Sequence, residues 1–243
     1  MNALPFYIGN FLSCFVLNGE KRHKIRSNIN FALYKKPVAR VIKQVFNEEV
    51  KDIKFIRQHT PSRFVCLVND KYFVKIFKNS SKKRIKNFEF LVNYIRKFMD
   101  VNIPKVYASN DGHTYITEII PGTSIYAFDK AFALKNEEKF LKQSAHIVSQ
   151  LQSIDLKKIP DAKRFTIALE STSKKIKIEK LTDESVLAHL DLNVRNFLFD
   201  KDFNICGLID FDSMCIINDK NKDMQIVVKY WERYKKSTRK HPL

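Results

Sequence analysis

From residue 50 the chain alternates apolar and polar positions. "VKDIKFIRQHT" and "SRFVCLVND" both do so, Asn69-Asp70 supplies a turn, and "KYFVKIFK" runs back, which predicts an antiparallel meander. The period then changes. In "SSKKRIKNFEFLVNYIRKFMD" residues Ile85, Phe88, Leu91, Val92 and Ile95 fall on one helical face, with serines at the start. Asp100, Asn102 and Pro104 lie just past its end, as expected for a helix stop. "KVYASNDGHTYITEII" reads as two strands around an Asn-Asp-Gly turn, and "PGTSI" at 121–125 breaks the pattern.

A second helix is predicted over "NEEKFLKQSAHIVSQLQSI", with Phe140, Leu141, Ile147, Val148 and Leu151 as its stripe. Residues 155–180 are rich in Lys and show no clear period. "SVLAHLD", "RNFLFD" and "ICGLIDFD" are short apolar runs, the last two joined by "DKDFN" into a hairpin. The order is a small sheet with one inserted helix, a break, and a mostly helical half carrying a hairpin. A cleft between two such lobes is a natural place for a ligand.

The segment before residue 50 differs. "MNALPFYIGNFLSCFVLNG" has no charged side chain, yet Pro5, Gly9, Asn10, Ser13 and Asn18 interrupt it and it falls short of the ~20 residues a spanning helix needs. A signal peptide would show an N-terminal cation and a small-x-small site, and neither is present. Residues 20–43 carry eight Lys or Arg against one acid; Ile25, Ile29, Ala32 and Leu33 are spaced helically before Pro37. Two readings stand: a solvated charged helix, or a basic amphipathic helix resting on an anionic membrane. The domain division that follows is 1–49 as an N-terminal extension, 50–120 as one lobe and 121–243 as another.

Composition adds bounds. The 243 residues can build a sizeable core, and 44% hydrophobic with 29% charged residues describes a globular chain. A net charge of +18 favours anionic partners. Lys outnumbers Arg 33 to 11, however, and this dispersed Lys speaks against a nucleic-acid surface, which would cluster Arg among exposed aromatics. Cys14, Cys66, Cys206 and Cys215 are scattered, without zinc spacing, and read as reduced cysteines of a cytoplasmic protein.

The chemistry concentrates in "VLAHLDLNVRNFLFD" and the "GLIDFD" that follows. Phosphoryl transfer from ATP needs a cation for the phosphates, hard oxygen ligands for Mg²⁺ and a carboxylate that orients the attacking hydroxyl. Asp191 is placed to accept a hydrogen bond from such a hydroxyl. Asn196 and Asp210 offer oxygens to magnesium, and the fourteen-residue step from one to the other suffices for a hairpin that brings the two together.

"HLDLNVRN" followed by "LIDFD" resembles the His-x-Asp-x4-Asn and Ile-Asp-Phe motifs of the aminoglycoside phosphotransferase and choline kinase superfamily, which includes bacterial kinases of lipopolysaccharide-core sugars. The resemblance implies an α+β, bilobal protein-kinase-like fold: a small antiparallel-sheet N-lobe and a mostly helical C-lobe with a catalytic hairpin. It also implies ATP and Mg²⁺ as cofactors. By the same resemblance Lys75 holds the nucleotide phosphates, Glu89 pairs with Lys75, backbone groups at Glu118–Ile120 meet adenine, and His189 braces the loop. His23, His59, His113 and His146 have no carboxylate at a telling spacing and read as surface or packing residues.

Two departures stand out. "RQHTPSRF", where a phosphate-covering turn would fall, lacks glycine, leaving Ser62 and its neighbours to approach phosphates. Arg195 replaces the small residue that precedes the asparagine in many relatives, and is a candidate contact for a phosphate or an acidic substrate. The short C-terminal half and the basic N-terminal segment suit a sugar of lipopolysaccharide core or a related glycolipid, phosphorylated by an enzyme peripheral to the inner face of the plasma membrane. A soluble kinase of choline, an aminoglycoside or a free sugar shares every catalytic residue. A non-catalytic kinase-like protein is the third reading, against which the intact metal ligands stand.

Overall fold

The computed structural model describes residues 19–56, 63–78, 80–160 and 181–237, with side chains described except at 19–32 and 55. Two compact units divide the chain: one comprises residues up to 89 together with 106–119, the other 90–105 together with 120 onward. The stretch 90–105 therefore belongs with the later half, although it precedes two strands of the first unit.

The first unit is a five-stranded antiparallel sheet in the order β1-β2-β3-β5-β4, built from β1 Ile53–Phe55, β2 Arg63–Val68, β3 Tyr72–Phe77, β4 Val106–Ala108 and β5 Thr114–Glu118. Asn69 and Asp70, both at positive φ, make the β2–β3 turn that their residue types favour. Side chains alternate across β3, so Tyr72, Val74 and Ile76 face one side, and Phe73, Lys75 and Phe77 the other.

The first of those sides is covered by helix α1, Gly19–Phe46. Tyr34, Val38, Val41 and Ile42 are buried against Phe64, Cys66, Val68, Tyr72, Val74, Ile76 and Ile116. Their spacing is that of one helical face. Phe46 stacks on Tyr72 with ring centres 4.2 Å apart. Pro37 lies inside this helix and costs it one backbone donor, yet the helix continues, held by the buried stripe on both sides of the proline. Of the N-terminal extension 1–49, Leu33–Phe46 thus form part of the sheet's core; residues 1–18 lie outside the described set. Ile42→Ala is expected to cost about 2–5 kcal/mol in denaturant unfolding, and Arg40→Ala, on the exposed face, less than about 0.5 kcal/mol.

On the other side, helix α2, Lys82–Ile95, brings Phe88 to Tyr115 (4.9 Å), which in turn stacks near Phe77. All five residues of the expected stripe, Ile85 to Ile95, are buried.

The second unit holds a three-stranded sheet β6-β8-β9 and a two-stranded sheet β10-β7. The strands are β6 Thr123–Ser124, β7 Val186–Ala188, β8 Phe197–Phe199, β9 Ile205–Leu208 and β10 Cys215–Ile217. The "PGTSI" break turns out to include β6, which pairs with Phe199 and Leu198. Gly122, at φ 126°, permits it: a Cβ there would lie 2.8 Å from both Leu198 Cβ and Cys206 Sγ.

Helices α3 Lys130–Lys135, α4 Glu137–Gln152 and α5 Lys222–Lys236 complete the unit. Phe140 stacks on Trp231 at 4.5 Å and meets Phe197 edge-on, joining α4, α5 and the hairpin in one core. Leu141 is only half-buried; the inward face runs through Phe140, Ser144, Ile147, Val148 and Leu151. His146 does have a carboxylate partner: its Nε2 lies 3.0 Å from Asp100 Oδ2 on the surface, across 46 residues that no local spacing could reveal. No described helix is long and apolar enough to cross a membrane.

Candidate active site

Strand β7 ends in a segment where the backbone is held under strain. Leu190 adopts φ 61°, an uncommon conformation for a side chain of that size, costing on the order of 1–3 kcal/mol. What holds it is Asp223, 1% exposed in the first turn of α5. One carboxylate oxygen of Asp223 accepts the His189 N–H and the other the Leu190 N–H, both at 2.8 Å. Burial raises the Asp223 carboxyl, an effect that these two amide bonds oppose.

His189 is fully buried. Its Nδ1 accepts the Asp191 N–H at 3.3 Å and its Nε2 lies 3.1 Å from the Ile209 carbonyl. Both bonds are made together by the neutral ring with its proton on Nε2, which donates to Ile209. The Ile209 N–H in turn donates to the Asn196 carbonyl at 2.9 Å. Ile209 therefore ties the His189 segment to the start of β8, and the next residue is Asp210.

Asp191 itself is gripped from two sides. Asn193 Nδ2 donates to Oδ1 at 3.0 Å; Asn196 Nδ2 donates to Oδ2 at 3.1 Å and to the Asp191 carbonyl at 2.7 Å. Each carboxylate oxygen keeps a lone pair for a further donor. Because Asn196 spends Nδ2 on Asp191, the orientation of its amide is settled and Oδ1 is left as acceptor.

Phe197 pairs with Leu208, so the ladder puts Asn196 and Asp210 at the same end of the hairpin. Asp210 takes a left-handed conformation at φ 66°, ψ 57°, which turns its chain out of the strand. Asp212, 1% exposed, follows in the next turn. Among the described residues no three His, Cys, Asp or Glu side chains gather as a metal cluster. A donor set of one amide oxygen and one carboxylate is too small for zinc or calcium, but it suits magnesium, which keeps several waters and shares substrate phosphates.

In the first unit, Lys75 is half-buried opposite Tyr115, with Nζ 5.7 Å from the ring centre. The expected Glu89–Lys75 pair is corrected by the structure. Glu89 Oε2 takes Lys86, one helical turn back, at 3.1 Å, and Oε1 caps the Ala108 amide at 2.9 Å where β4 ends. Glu118 accepts the Tyr107 hydroxyl, and the Ile119 N–H continues the ladder to Lys71. Ile120 belongs to the second unit, where its Cδ1 fills the space a Cβ on Gly207 would need, 2.9 Å away. Residues 57–62, the site of the glycine-free turn with Ser62, lie outside the described residues.

No protein-family model matches the sequence, and no curated protein matches it. Solved structures do. The GDP complex of wild-type aminoglycoside 2′-phosphotransferase-IIIa shares 14% identity over 84% of this chain and 83% of its own, with a TM-score of 0.57. An ADP-bound aminoglycoside phosphotransferase shares 19% over 81% of each chain, also at 0.57. A macrolide 2′-phosphotransferase from Brachybacterium faecium shares 12% over 83% of each, at 0.54. The chain has a kinase-like fold.

Within that fold, two polar residues of the site escaped sequence reasoning. Asn193 carried a usable signal, since an Asn two residues after an Asp commonly turns back on the local backbone. Asp223 carried none: it opens a Lys-rich helix 34 residues from the His189 amide that it holds.

Proposed function

We propose that this protein is an ATP-dependent phosphotransferase whose acceptor is a hydroxyl of a small molecule. The observation that carries the reading is the Asp191 carboxylate, fixed by Asn193 and Asn196 and tied through Ile209 to Asp210. Asp191 receives the acceptor's hydroxyl proton as the acceptor oxygen bonds to the γ-phosphorus; the bond from that phosphorus to the β–γ bridging oxygen breaks, and ADP leaves. Asn196 and Asp210 would hold Mg²⁺, which would supply charge neutralisation for the phosphates. Lys75 is the candidate cation for the nucleotide. Arrangement by fixed groups suits this reaction, since positioning and electrostatics supply most of its catalysis.

The small-molecule reading is favoured over a glycolipid acceptor on two grounds. The structural neighbours named above act on aminoglycosides and macrolides. The N-terminal helix, which suggested a membrane surface, spends the apolar face of Leu33–Phe46 on the sheet instead. Labelled ATP incubated with the full chain, MgCl₂ and a panel of hydroxyl acceptors tests the proposal. Transfer that EDTA abolishes is expected; absence of both nucleotide binding and transfer would sink it.

A further inference from the structure

We infer that Arg195 selects an acceptor bearing an anionic group, a carboxylate or phosphate near the hydroxyl that is phosphorylated. The inference rests on the phosphotransferase reading above and names its substrate class.

Arg195 sits inside the turn that grips Asp191. Its two near neighbours, Asn193 and Asn196, each donate to one oxygen of that carboxylate, and its own N–H is fixed by Asn193 Oδ1 at 2.9 Å. The backbone under the side chain is therefore as rigid as the catalytic loop itself. The side chain is exposed, and among the described residues its guanidinium has no carboxylate partner. An unengaged planar fork of five donors, anchored next to the group that receives the acceptor hydroxyl, matches a carboxylate or phosphate in shape and charge. Tyr126, half-buried in the short helical turn after β6, lies close enough for the Arg195 charge to favour its ionised form, against the rise that burial imposes.

The charge of α5 agrees. A cationic aminoglycoside calls for acidic walls, yet α5 carries five Lys or Arg (Lys222, Lys229, Arg233, Lys235, Lys236) against Asp223 and Glu232. Asp223 is spent on backbone amides, and Lys235 on Glu232 and Glu137, which leaves Lys222, Lys229, Arg233 and Lys236 as the surplus charge of α5.

The test compares glucuronate, glucose 1-phosphate, glucose and kanamycin as acceptors, with ATP affinity measured separately by calorimetry. Glucuronate or glucose 1-phosphate should exceed glucose in kcat/KM by about tenfold or more, a modest ratio because the guanidinium is exposed. The better of the two identifies the anion. Arg195→Gln should collapse that ratio towards one by raising the acceptor KM, Arg195→Lys should restore part of it, and the ATP Kd should change by less than about twofold. Preference for glucose or kanamycin, or a ratio untouched by Arg195→Gln, overturns the inference while leaving the phosphotransferase reading intact. A weakened ATP Kd in Arg195→Gln overturns it in favour of a nucleotide contact. Failure of the native chain to bind ATP at all removes both.

Discussion

Asp191→Asn should transfer phosphoryl groups about 10²–10⁴-fold more slowly than the native chain, the range expected when a positioned general base is removed. The structure makes the loss larger than a change of charge alone. Both carboxylate oxygens accept side-chain amide N–H groups, so whichever oxygen becomes NH₂ faces the donor of Asn193 or Asn196. The grip on the side chain then fails along with its basicity. Nucleotide affinity should change little, since Asp191 is proposed to face the acceptor; initial-rate kinetics beside calorimetric ATP binding separates the two. Transfer within tenfold of native would mean that another group takes the proton.

The second large effect is expected at Asp223, a positioning residue. Asp223→Ala leaves the N–H groups of His189 and Leu190 without acceptors in a buried site, at about 1–3 kcal/mol each, read from denaturant midpoints. It also releases the left-handed conformation of Leu190, which those bonds hold. A purely structural role would lower stability alone. The loop geometry predicts in addition a fall in kcat of about tenfold or more in the fraction that stays folded, with ATP affinity kept. The pH dependence has a defined sign. Burial raises the Asp223 carboxyl above its unfolded value near 4, so its stabilising contribution is fully present below about pH 4 and declines as pH rises through the raised value. The gap in stability between the native and Asp223→Ala proteins should therefore narrow as pH rises. A gap that widens would show the carboxylate to be held below its ordinary value, as two amide bonds alone would do.

Glu89 shows where resemblance misleads. The helix that carries it was expected from spacing and is present, yet its carboxylate goes to Lys86 and the Ala108 amide. Both are nearer along the helix face and the end of β4 than a pattern of residue types can show. A side chain with several oppositely charged or donor neighbours is assigned by distance, which the pattern does not contain.

What the sequence determined is the set of elements and the block of chemistry. Alternation gave β2 and β3, the 3.6-residue period gave α2 and α4, and short apolar runs around "DKDFN" gave the β8–β9 hairpin, because each depends on neighbours only a few residues away. Asp191, Asn196 and Asp210 were legible for the same reason: a hairpin of known length relates them. Tertiary structure alone decided the rest. It laid Tyr34, Val38, Val41 and Ile42 on the sheet, where the sequence showed a basic amphipathic helix but not the surface that receives it. It made Ile209 the junction of His189 and Asn196, and placed Asp223 beneath the strained Leu190. These are bonds to backbone groups, which every residue possesses, so no side-chain pattern announces them. The need of a buried N–H or carbonyl for a partner is met only when the chain has closed around it.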